Sequence, residues 1–499
     1  MPGSSPMARP SPRRRPRHGR LVLLAACAAA CATTPPPPPS LALASPDTAL
    51  VARFDWATTT ARGHVGPDTD PVGPWYEAAL PGRHAFCMRD VAHQAIGAEL
   101  LGLHRQNLNM FRRFVAGIDA RRDWCSFWEI DRTGRPAPVD YASDDDFWYN
   151  LGANLDLIDA SHRLFQWTGD RTYLEDPAFD RFFRLTLHEY VARWVLEPGR
   201  IMDRPAFPNR RPGTVRFHTA RGIPSYDEAQ DEITVGSDLI AMLANGYAAY
   251  ARILSARGDA GAAAPFLARA AEYRRLLAHA WWDPGTGRHH GFRRPDGTFL
   301  PPGTAGGLYL LWHGAVDDPV RIRRELDALR PSHVEILSYA PTLFYRHGED
   351  VRAYEALRAL GRDPRRAYPE ASFGAVEGIV RGLMGIDPSA VDGRVATLAH
   401  LTGATPWAEV AHVPVFSGTI TVRHDGLGWT TFTNHGGAPV TWRATFAGGA
   451  DSLVVDGRPV AAARGTDPLG RVTSHVDVPV APGARVVVAR RGPLPRPPT

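Results

Sequence analysis

Three helical stretches in this 499-residue chain each run into a glycine that is followed directly by an acidic residue. The three glycines are 89 and 90 residues apart. The pairs are Gly169-Asp170, Gly258-Asp259 and Gly348-Glu349. Glycine just past an apolar helical run ends the helix, because it adopts the left-handed conformation without a side-chain clash. An acidic residue suits the N-terminus of the next helix. The spacing therefore predicts an array of antiparallel helix pairs.

Apolar residues at helical spacing define the members of this array. The clearest faces run through residues 96–118, 151–165 and 239–254. Further helices are predicted near 177–196, 261–281, 318–330, 333–346, 350–360 and 372–384. Between 46 and 85 the chain is rich in Gly and Pro and lacks periodicity, which predicts an extended lead-in. We therefore expect a mainly α domain over residues 86–411.

After about residue 412 the period of the sequence changes from helix to strand. Short β-branched runs, such as Thr419-Ile420-Thr421-Val422 and Arg485-Val486-Val487-Val488, are separated by Gly, Asp and Pro. This pattern predicts a small antiparallel β-sandwich over residues 412–493, whose expected role is to pack against the helical domain.

The basic surplus of the chain lies at its N-terminus. All 57 cationic residues are arginine, and six of them fall in the first twenty residues. The remaining 51 arginines meet 52 acidic residues, so the rest of the chain carries no charge surplus for a nucleic-acid partner. With 44% apolar residues, the chain can bury a large core and is long enough for two folded domains.

Residues 1–45 are predicted to be an export signal followed by a tether. An Arg-rich head precedes an apolar run, and Leu24-Ala25-Ala26-Cys27 is similar to a bacterial lipobox, in which Cys27 would be acylated. The Pro-rich segment after it suits a semi-rigid spacer. The alternative is a simple cleaved signal that uses Ala42-Leu43-Ala44. We expect an exported protein, either a cell-envelope lipoprotein or a periplasmic or secreted one, that meets the membrane only through a lipid on Cys27; no later segment has the character of a membrane span.

Cys87 and Cys125 are the cysteines outside the N-terminal segment. In an oxidising compartment they form either one disulfide or two unpaired buried thiols. Their spacing gives no zinc pattern, so we expect chemistry without a metal and without a cofactor. A calcium ion at the acids Asp144–Asp146 is the one exception left open.

Two of the four candidate clusters stand where a loop enters a helix. Arg89-Asp90 opens the first strong helix, and Asp90 either caps that helix or binds substrate while Arg89 keeps it ionised. Tyr368-Pro369-Glu370 precedes the last helix. Glu370 either points into a cavity or serves the helix dipole as a first-turn acid.

The other two clusters combine aromatic residues with acids. Trp124, Trp128, Asp145 and Trp148 lie within residues 122–150, and such flat apolar faces beside carboxylates suit a sugar site; alternatively they are core tryptophans under a solvated acidic cap. Residues 221–232 close a loop of more than thirty residues, which is usually functional or disordered. There Arg221 and Tyr226 accompany Asp227, Glu228 and Asp231, of which one could be a general acid whose pKa its neighbours raise, and some must cap the helix near Gly236.

Three features together resemble the six-hairpin (α/α)6-toroid glycosidases over residues 86–490. They are the helix–Gly–acid–helix array, the motif Tyr-Pro-Glu-Ala-Ser-Phe at 368–373 followed by Gly-Leu-Met-Gly-Ile at 382–386, and the C-terminal β domain. The segment Met-Arg-Asp-Val-Ala-His-Gln at 88–94 resembles the Arg-Asp stretch that opens the catalytic helices in rhamnosidase-like and debranching-type members. The signature of no single family is complete, so the resemblance implies no particular sugar.

The resemblance implies a funnel with two carboxylates across it. Such enzymes are mostly inverting, and inversion needs a gap of about 6.5–9.5 Å between the carboxyl groups. The matching positions are Glu228 as the acid, with Asp227 or Asp231 as substitutes, and Glu370 as the base. Asp90 and Asp145 would bind the sugar beside the cleaved bond, and Trp124, Trp128, Trp148 and Tyr226 would be stacking walls. The candidate catalytic residues are Glu228, Glu370 and Asp90, and the candidate substrate-binding residues are Arg89, Trp124, Trp128, Asp145, Trp148, Arg221, Tyr226 and Tyr368.

The sequence thus predicts an exported glycoside hydrolase that acts on an oligo- or polysaccharide. One alternative is a toroid polysaccharide lyase, for which Asn150, His218, Arg221 and Tyr226 offer the base and the groups that neutralise a uronate. The other is a non-catalytic, surface glycan-binding lipoprotein, in which the carboxylates would not converge.

Overall fold

The computed structural model describes residues 40–211, 220–228, 232–303 and 306–490. The α-helices are α1 (Thr48–Gly63), α2 (Met88–Leu100), α3 (His104–Ala116), α4 (Ala153–Thr168), α5 (Thr172–Glu175), α6 (Pro177–Leu185), α7 (Val191–Arg193), α8 (Ser237–Ala256), α9 (Ala260–His279), α10 (Gly306–Trp312), α11 (Pro319–Ala328), α12 (Val334–Leu337), α13 (Ala340–Arg346), α14 (Asp350–Leu360) and α15 (Pro369–Glu377). Two π-helical segments (Thr186–Tyr190 and Gly378–Leu383) continue α6 and α15, and two 3-10 turns lie at Ala120–Arg122 and Ile201–Asp203.

The long helices form two concentric rings. The inner ring runs α2, α4, α8, α10, α13 and α15, and it closes because α15 packs against α2. Inner helices are buried on nearly all sides, whereas outer helices such as α3 bury one stripe. The outer partners are α3, α6, α9, α11, α14 and α1. This is the predicted (α/α)6 toroid of six helical hairpins.

The three glycines of the repeat lie at the predicted turns of this toroid. Gly169, Gly258 and Gly348 have φ angles of 73°, 93° and 64°, in the left-handed region. Each stands between an inner helix and the outer helices that follow it, after α4, α8 and α13 respectively. Asp259 caps α9 by accepting a hydrogen bond from the Ala262 amide at 3.1 Å, as expected for an acid after such a glycine.

The prediction of an extended lead-in over residues 46–85 was wrong for its first part. Residues 48–63 form α1, which packs against α15 as the twelfth helix of the toroid. Leu50, Phe54, Ala57 and Ala61 are its buried apolar stripe. Asp47 caps α1 and accepts hydrogen bonds from Tyr354 Oη at 2.7 Å and Thr405 Oγ1 at 2.6 Å. These contacts come from the far end of the chain, so local composition could not indicate them.

One predicted helical face is divided in the structure. The face predicted over residues 96–118 is shared by α2 and α3, which are separated by a turn at Leu101–Leu103, and α3 ends at Ala116. Gly102 has a φ angle of 80°, which a residue with a side chain rarely adopts. The break places α3 outside α2, so that the two helices form the first hairpin of the ring.

The C-terminal part of the chain is a β-sandwich, as predicted. The strands of the chain are β1 (Ala42–Ala44), β2 (Ala85–Cys87), β3 (Glu129–Asp131), β4 (Tyr141–Ser143), β5 (Asp146–Phe147), β6 (Tyr149–Asn150), β7 (Gly222–Ile223), β8 (Val235–Gly236), β9 (Trp282–Asp283), β10 (Arg288–His289), β11 (Phe292–Arg293), β12 (Phe299–Leu300), β13 (Asp387–Ser389), β14 (Arg394–Leu398), β15 (Trp407–Val415), β16 (Gly418–Asp425), β17 (Trp429–Asn434), β18 (Val440–Ala447), β19 (Ser452–Val455), β20 (Arg458–Ala461), β21 (Ala463–Thr466), β22 (Val472–Val480) and β23 (Arg485–Ala489).

Two sheets make up the sandwich. One has the order β1-β15-β16-β17-β23-β19-β20 and the other β13-β14-β18-β22-β21. Phe432 and Trp442 stack between them with ring centroids 5.1 Å apart. The sandwich begins at β13, before the predicted boundary at 412, and it includes β1 from the N-terminal side. β1 holds Ala42-Leu43-Ala44, so cleavage at the alternative signal site would remove a paired strand.

Cys87 and Cys125 are buried free thiols within the described part of the chain, which matches the second of the two alternatives. Burial raises the pKa of both thiols well above the ordinary value, so neither is a reactive thiolate. Over the described ranges, none of the helices combines the length and apolar character of a membrane span. The N-terminal segment with Cys27 lies outside the described residues.

Candidate active site

Three predicted acids meet where inner helices begin. Asp90 lies in the first turn of α2 and Glu370 in the first turn of α15, and these helices are neighbours in the ring. Glu228 lies in the loop before α8. The Arg89 guanidinium joins them, with Nε 3.2 Å from Asp90 Oδ1 and Nη1 3.6 Å from Glu228 Oε1. The structure therefore brings Arg89, Asp90, Glu228 and Glu370 together as one charged group.

Asp90 and Glu370 interact side chain to side chain. Glu370 is 2% exposed, and among the described residues neither of its oxygens has a hydrogen-bond donor. Two ionised carboxylates repel each other at close range, so their interaction favours a proton on one of them. Burial and then the charge of Asp90 raise the pKa of Glu370 well above its ordinary range. The pair therefore favours the state in which one of its two carboxyl groups is protonated.

Glu228 is held in a less enclosed position than Glu370. Its side chain is 21% exposed. Burial raises the pKa of Glu228, while the charge of Arg89 and a contact with the Asn150 amide oppose that rise. The loop is fastened by Asp238 in the first turn of α8, which accepts hydrogen bonds from Ser225 Oγ at 2.9 Å and the Tyr226 amide at 2.6 Å. The N-cap of α8 is Gly236 and has no side-chain cap, so the expectation that an acid of this loop caps the helix is not met among the described residues.

Aromatic rings enclose the Arg89 guanidinium. Its central carbon lies 5.6 Å from the Trp128 ring centroid and 5.2 Å from that of Tyr226. Trp148 packs against Trp128 with centroids 5.3 Å apart. Trp128, Trp148 and Tyr226 are therefore placed beside the acids, as the sequence suggested, although each is at most 5% exposed.

Several residues of the site were missed by the sequence analysis because they lie within or next to inner helices. Tyr309 and Tyr339 pack edge to face at 5.5 Å, and Tyr309 also meets Tyr226 at 5.3 Å. Asp156 on α4 accepts the Tyr226 hydroxyl hydrogen bond at 2.6 Å, and burial raises the pKa of Asp156 to about 7. In the sequence, the feature that could have indicated Asp156 as a site residue is an acidic residue in the first turn of a largely apolar helix.

Trp124, Asp145 and Arg221 belong to a different cluster, centred on Asp123. The carboxylate of Asp123 accepts hydrogen bonds from Arg193 at 2.8 Å and from Arg221 at 2.6 Å. Arg221 also donates to the Asp144 carbonyl and stacks over a phenylalanine ring, and it is 2% exposed. These contacts indicate that Arg221 holds the surrounding loops in place and is not free to bind a sugar hydroxyl.

The other two members of this cluster have their polar contacts away from the acids. The Asp145 side chain is 43% exposed and lies 3.8 Å from Arg210, whose guanidinium also reaches Asp123. Trp124 is half-buried, and its carbonyl accepts a hydrogen bond from Asn154. The structure does not bring Trp124, Asp145 or Arg221 into contact with Arg89, Asp90, Glu228 or Glu370.

Tyr368 lies at the edge of the site. It is half-buried at the start of α15, and the Arg365 guanidinium covers its ring at 4.3 Å. Arg365 also pairs with Glu335, whose charge reaches both Asp90 and Glu370. Asp231 and His218, named as alternatives, lie outside the described residues.

Among the described residues, no group of three or more His, Cys, Asp or Glu side chains could hold a metal ion. Asp144, one of the acids of the calcium alternative, instead pairs with Arg122 at 2.9 Å and accepts the Tyr141 hydroxyl hydrogen bond at 2.8 Å.

A buried acid behind the site provides a test of its electrostatics. Glu129 is 1% exposed, and burial raises its pKa from 4.5 to about 7, against the effect of Arg83. The folded state therefore binds this proton more tightly than the unfolded state, and stability falls as the pH rises from about 4.5 to 7. We expect Glu129→Gln, which keeps the neutral form, to gain about 1–3 kcal/mol in free energy of unfolding relative to wild type at pH 8 and none below pH 4.

Urea titrations of both proteins at several pH values measure this difference. A gap between wild type and Glu129→Gln that stays constant from pH 4 to pH 8 would contradict the raised pKa of Glu129.

The fold, an (α/α)6 toroid with a C-terminal β-sandwich, is similar to that of several solved structures. Neither a family model nor a curated protein sequence matches the chain.

Solved structures with this fold are similar over most of the chain. A rhamnosidase of glycoside hydrolase family 78 from Bacillus sp. GL1 has a TM-score of 0.58 and 12% identity, with 79% of this chain and 40% of that one covered. An α-L-rhamnosidase from Dictyoglomus thermophilum has a TM-score of 0.57 and 9% identity, with 90% of this chain and 50% of that one covered. A proposed kojibiose phosphorylase from the human microbiome has a TM-score of 0.56 and 10% identity, with 88% of this chain and 63% of that one covered. The chain thus spans between two fifths and two thirds of these proteins, and the similarity establishes the fold alone.

Proposed function

We propose that this protein is a glycoside hydrolase that cleaves a glycosidic bond by an inverting two-carboxylate mechanism. The observation that carries the proposal is the convergence of Asp90, Glu228 and Glu370 on Arg89 at the mouth of the toroid. The rhamnosidases among the similar structures support the same class of reaction.

Glu228 is the proposed general acid. Its raised pKa favours the protonated form that donates to the leaving-group oxygen. Its partial exposure leaves it accessible to a bound sugar. Arg89, 3.6 Å away, stabilises the carboxylate that remains after the proton has left.

Glu370 and Asp90 are proposed to supply the base. Because they hold one proton between them, the pair has one free carboxylate to take the proton of the attacking water. Arg89 then separates the pair from Glu228, so acid and base stand on different sides of one guanidinium. Trp128, Trp148 and Tyr226 are the proposed walls of the sugar site.

The contacts give less support to the alternative functions. A lyase base would be a poor role for Tyr226, since its hydroxyl donates to Asp156 and burial raises its pKa well above the ordinary value. Arg221 is occupied by Asp123 and Asp144. A binding protein without catalysis would not need acids with raised pKa values around one arginine.

Export is part of the proposal and rests on the N-terminal sequence alone. The Arg-rich head, the apolar run and the lipobox-like Cys27 support an exported lipoprotein. Its substrate would then be an extracellular or periplasmic carbohydrate.

A panel of aryl glycosides, oligosaccharides and polysaccharides tests the proposal. We expect new reducing ends from at least one substrate class, without a product that absorbs near 235 nm. Release of a product absorbing at that wavelength would identify a lyase. Binding of a glycan without turnover would support the non-catalytic alternative.

A further inference from the structure

A second cavity lies at the opposite end of the toroid from the acids. It has a volume of about 440 Å³ and is lined by the last turns of inner helices and by the start of the β-sandwich. Trp312, in its wall, packs against Tyr339, so the aromatic layer lies between the cavity and the candidate active site. The cavity is therefore separate from the site described above.

Arginine dominates the lining of this cavity. Two aspartates, Asp159 and Asp387, oppose five arginines in its wall. The arginines are Arg163, Arg252, Arg346, Arg381 and Arg394. Burial lowers the pKa of both lining histidines, His162 and His313, to about 4, so they add no charge at neutral pH.

The two aspartates do not neutralise the five arginines. Asp159 accepts from Arg163 Nε at 2.8 Å and also faces Arg252 Nη2 at 3.7 Å, so one carboxylate serves two guanidiniums. Asp387 lies 3.6 Å from Arg381, which also contacts Glu377 at 3.1 Å. Arg394 pairs with Asp392 outside the lining.

Arg346 is the least compensated of the five. It donates to the carbonyls of Leu311 and Trp312 at the end of α10, where the helix dipole offers a partial negative charge. In the described part of the chain it forms no ion pair. Burial and the nearby charge of Arg381 lower the pKa of Arg346 to about 10, as expected for a cation that lacks an anion.

One donor atom in the wall is unused: Arg163 Nη1 has no hydrogen-bond partner among the described residues. His313 Nε2 instead faces Asp156 Oδ1 of the candidate active site, 3.6 Å away. A buried donor without an acceptor is unfavourable, and a bound acceptor would relieve that cost.

We propose that this cavity binds a divalent oxyanion such as phosphate or sulfate. Guanidinium groups from several directions match the oxygens of a tetrahedral anion, and each makes charge-assisted hydrogen bonds. The volume accommodates the free anion or a phosphoryl or sulfate group on a larger ligand. The site is independent of the proposed hydrolase activity.

Calorimetric titration of the full chain with sodium phosphate tests the proposal, with sodium sulfate, sodium acetate and sodium chloride at matched ionic strength. We expect saturable binding of one phosphate or sulfate and none of chloride, with acetate weaker. Arg252→Gln and Arg394→Gln, whose side chains are 44% and 28% exposed, should each weaken phosphate binding by at least about tenfold. The control Arg358→Gln removes an exposed arginine on α14 and should bind as wild type does.

Arg89→Gln tests whether phosphate binds in the cavity or at the candidate active site. Because Arg89 does not line the cavity, this variant should bind phosphate with the affinity of wild type. Thermal unfolding of the wild-type chain is the second readout, with a Tm that rises with phosphate beyond the effect of chloride. Three results would overturn the proposal: no saturable binding by wild type, lining variants that bind as tightly as Arg358→Gln, or loss of binding in Arg89→Gln alone. If wild type shows no saturable binding, the arginines of the cavity interact only with the carbonyls and acids around them.

Discussion

Glu370→Gln is expected to lower the rate of glycoside hydrolysis by about 10²–10⁴-fold. The amide cannot share a proton with Asp90, so the pair loses one of the two carboxyl groups through which it takes the proton of the attacking water. The loss should fall on kcat more than on KM, because the substitution preserves shape and hydrogen-bonding capacity at the sugar. Stopped assays on the substrate class found by the panel give both constants.

Two further variants make the result interpretable. Glu272→Gln changes an acid on α9 that is 41% exposed and pairs with Arg269, and it should keep wild-type activity. Glu228→Gln should lose activity on sugars with poor leaving groups while sparing those with good ones, because a general acid matters least where the leaving group needs no proton. Glu370→Gln with activity within about threefold of wild type would remove Glu370 from the reaction.

Phe54→Ala is expected to destabilise the protein by about 3–5 kcal/mol. Phe54 is 2% exposed on α1, which closes the outer ring against α15. Truncation leaves a cavity between these helices, since neighbouring side chains relax only in part. Chemical unfolding monitored by circular dichroism measures the change in free energy.

Leu267→Ala is the matched control for this substitution. It also removes a large apolar side chain from an outer helix, but Leu267 is 51% exposed, so the change should be below about 1 kcal/mol. Equal stabilities of Phe54→Ala and Leu267→Ala would mean that α1 is not part of the packed toroid.

The repeat of the toroid was predictable because its signal is local. A glycine that ends one helix and an acid that begins the next are adjacent in sequence, and Gly169, Gly258 and Gly348 lie at such turns. Helix α1 was missed because its partner, α15, is some three hundred residues away. The short inner helix α10 was missed as well, since seven residues are too few for a clear period.

The residues of the candidate site likewise fall into those with a local sequence signal and those placed by distant contacts. Arg89-Asp90 and Glu370 were found because each stands at a loop-to-helix junction, where a polar side chain is exposed to a cavity or a cap. Trp124 and Asp145 looked equivalent to Trp128 in sequence. Trp124 is instead held by Asn154, and Asp145 lies beside Arg210, which also pairs with Asp123; these partners are distant in sequence.

The configuration of the first-formed sugar tests the central claim most directly. Proton NMR of the cleavage of a substrate identified by the panel follows the anomeric signals before mutarotation sets in. An inverting mechanism with Glu228 as acid and the Asp90–Glu370 pair as base predicts that the new reducing end first appears with the anomeric configuration opposite to the substrate. First appearance of the same configuration as the substrate would contradict the account, because it requires a covalent intermediate on one of these carboxylates.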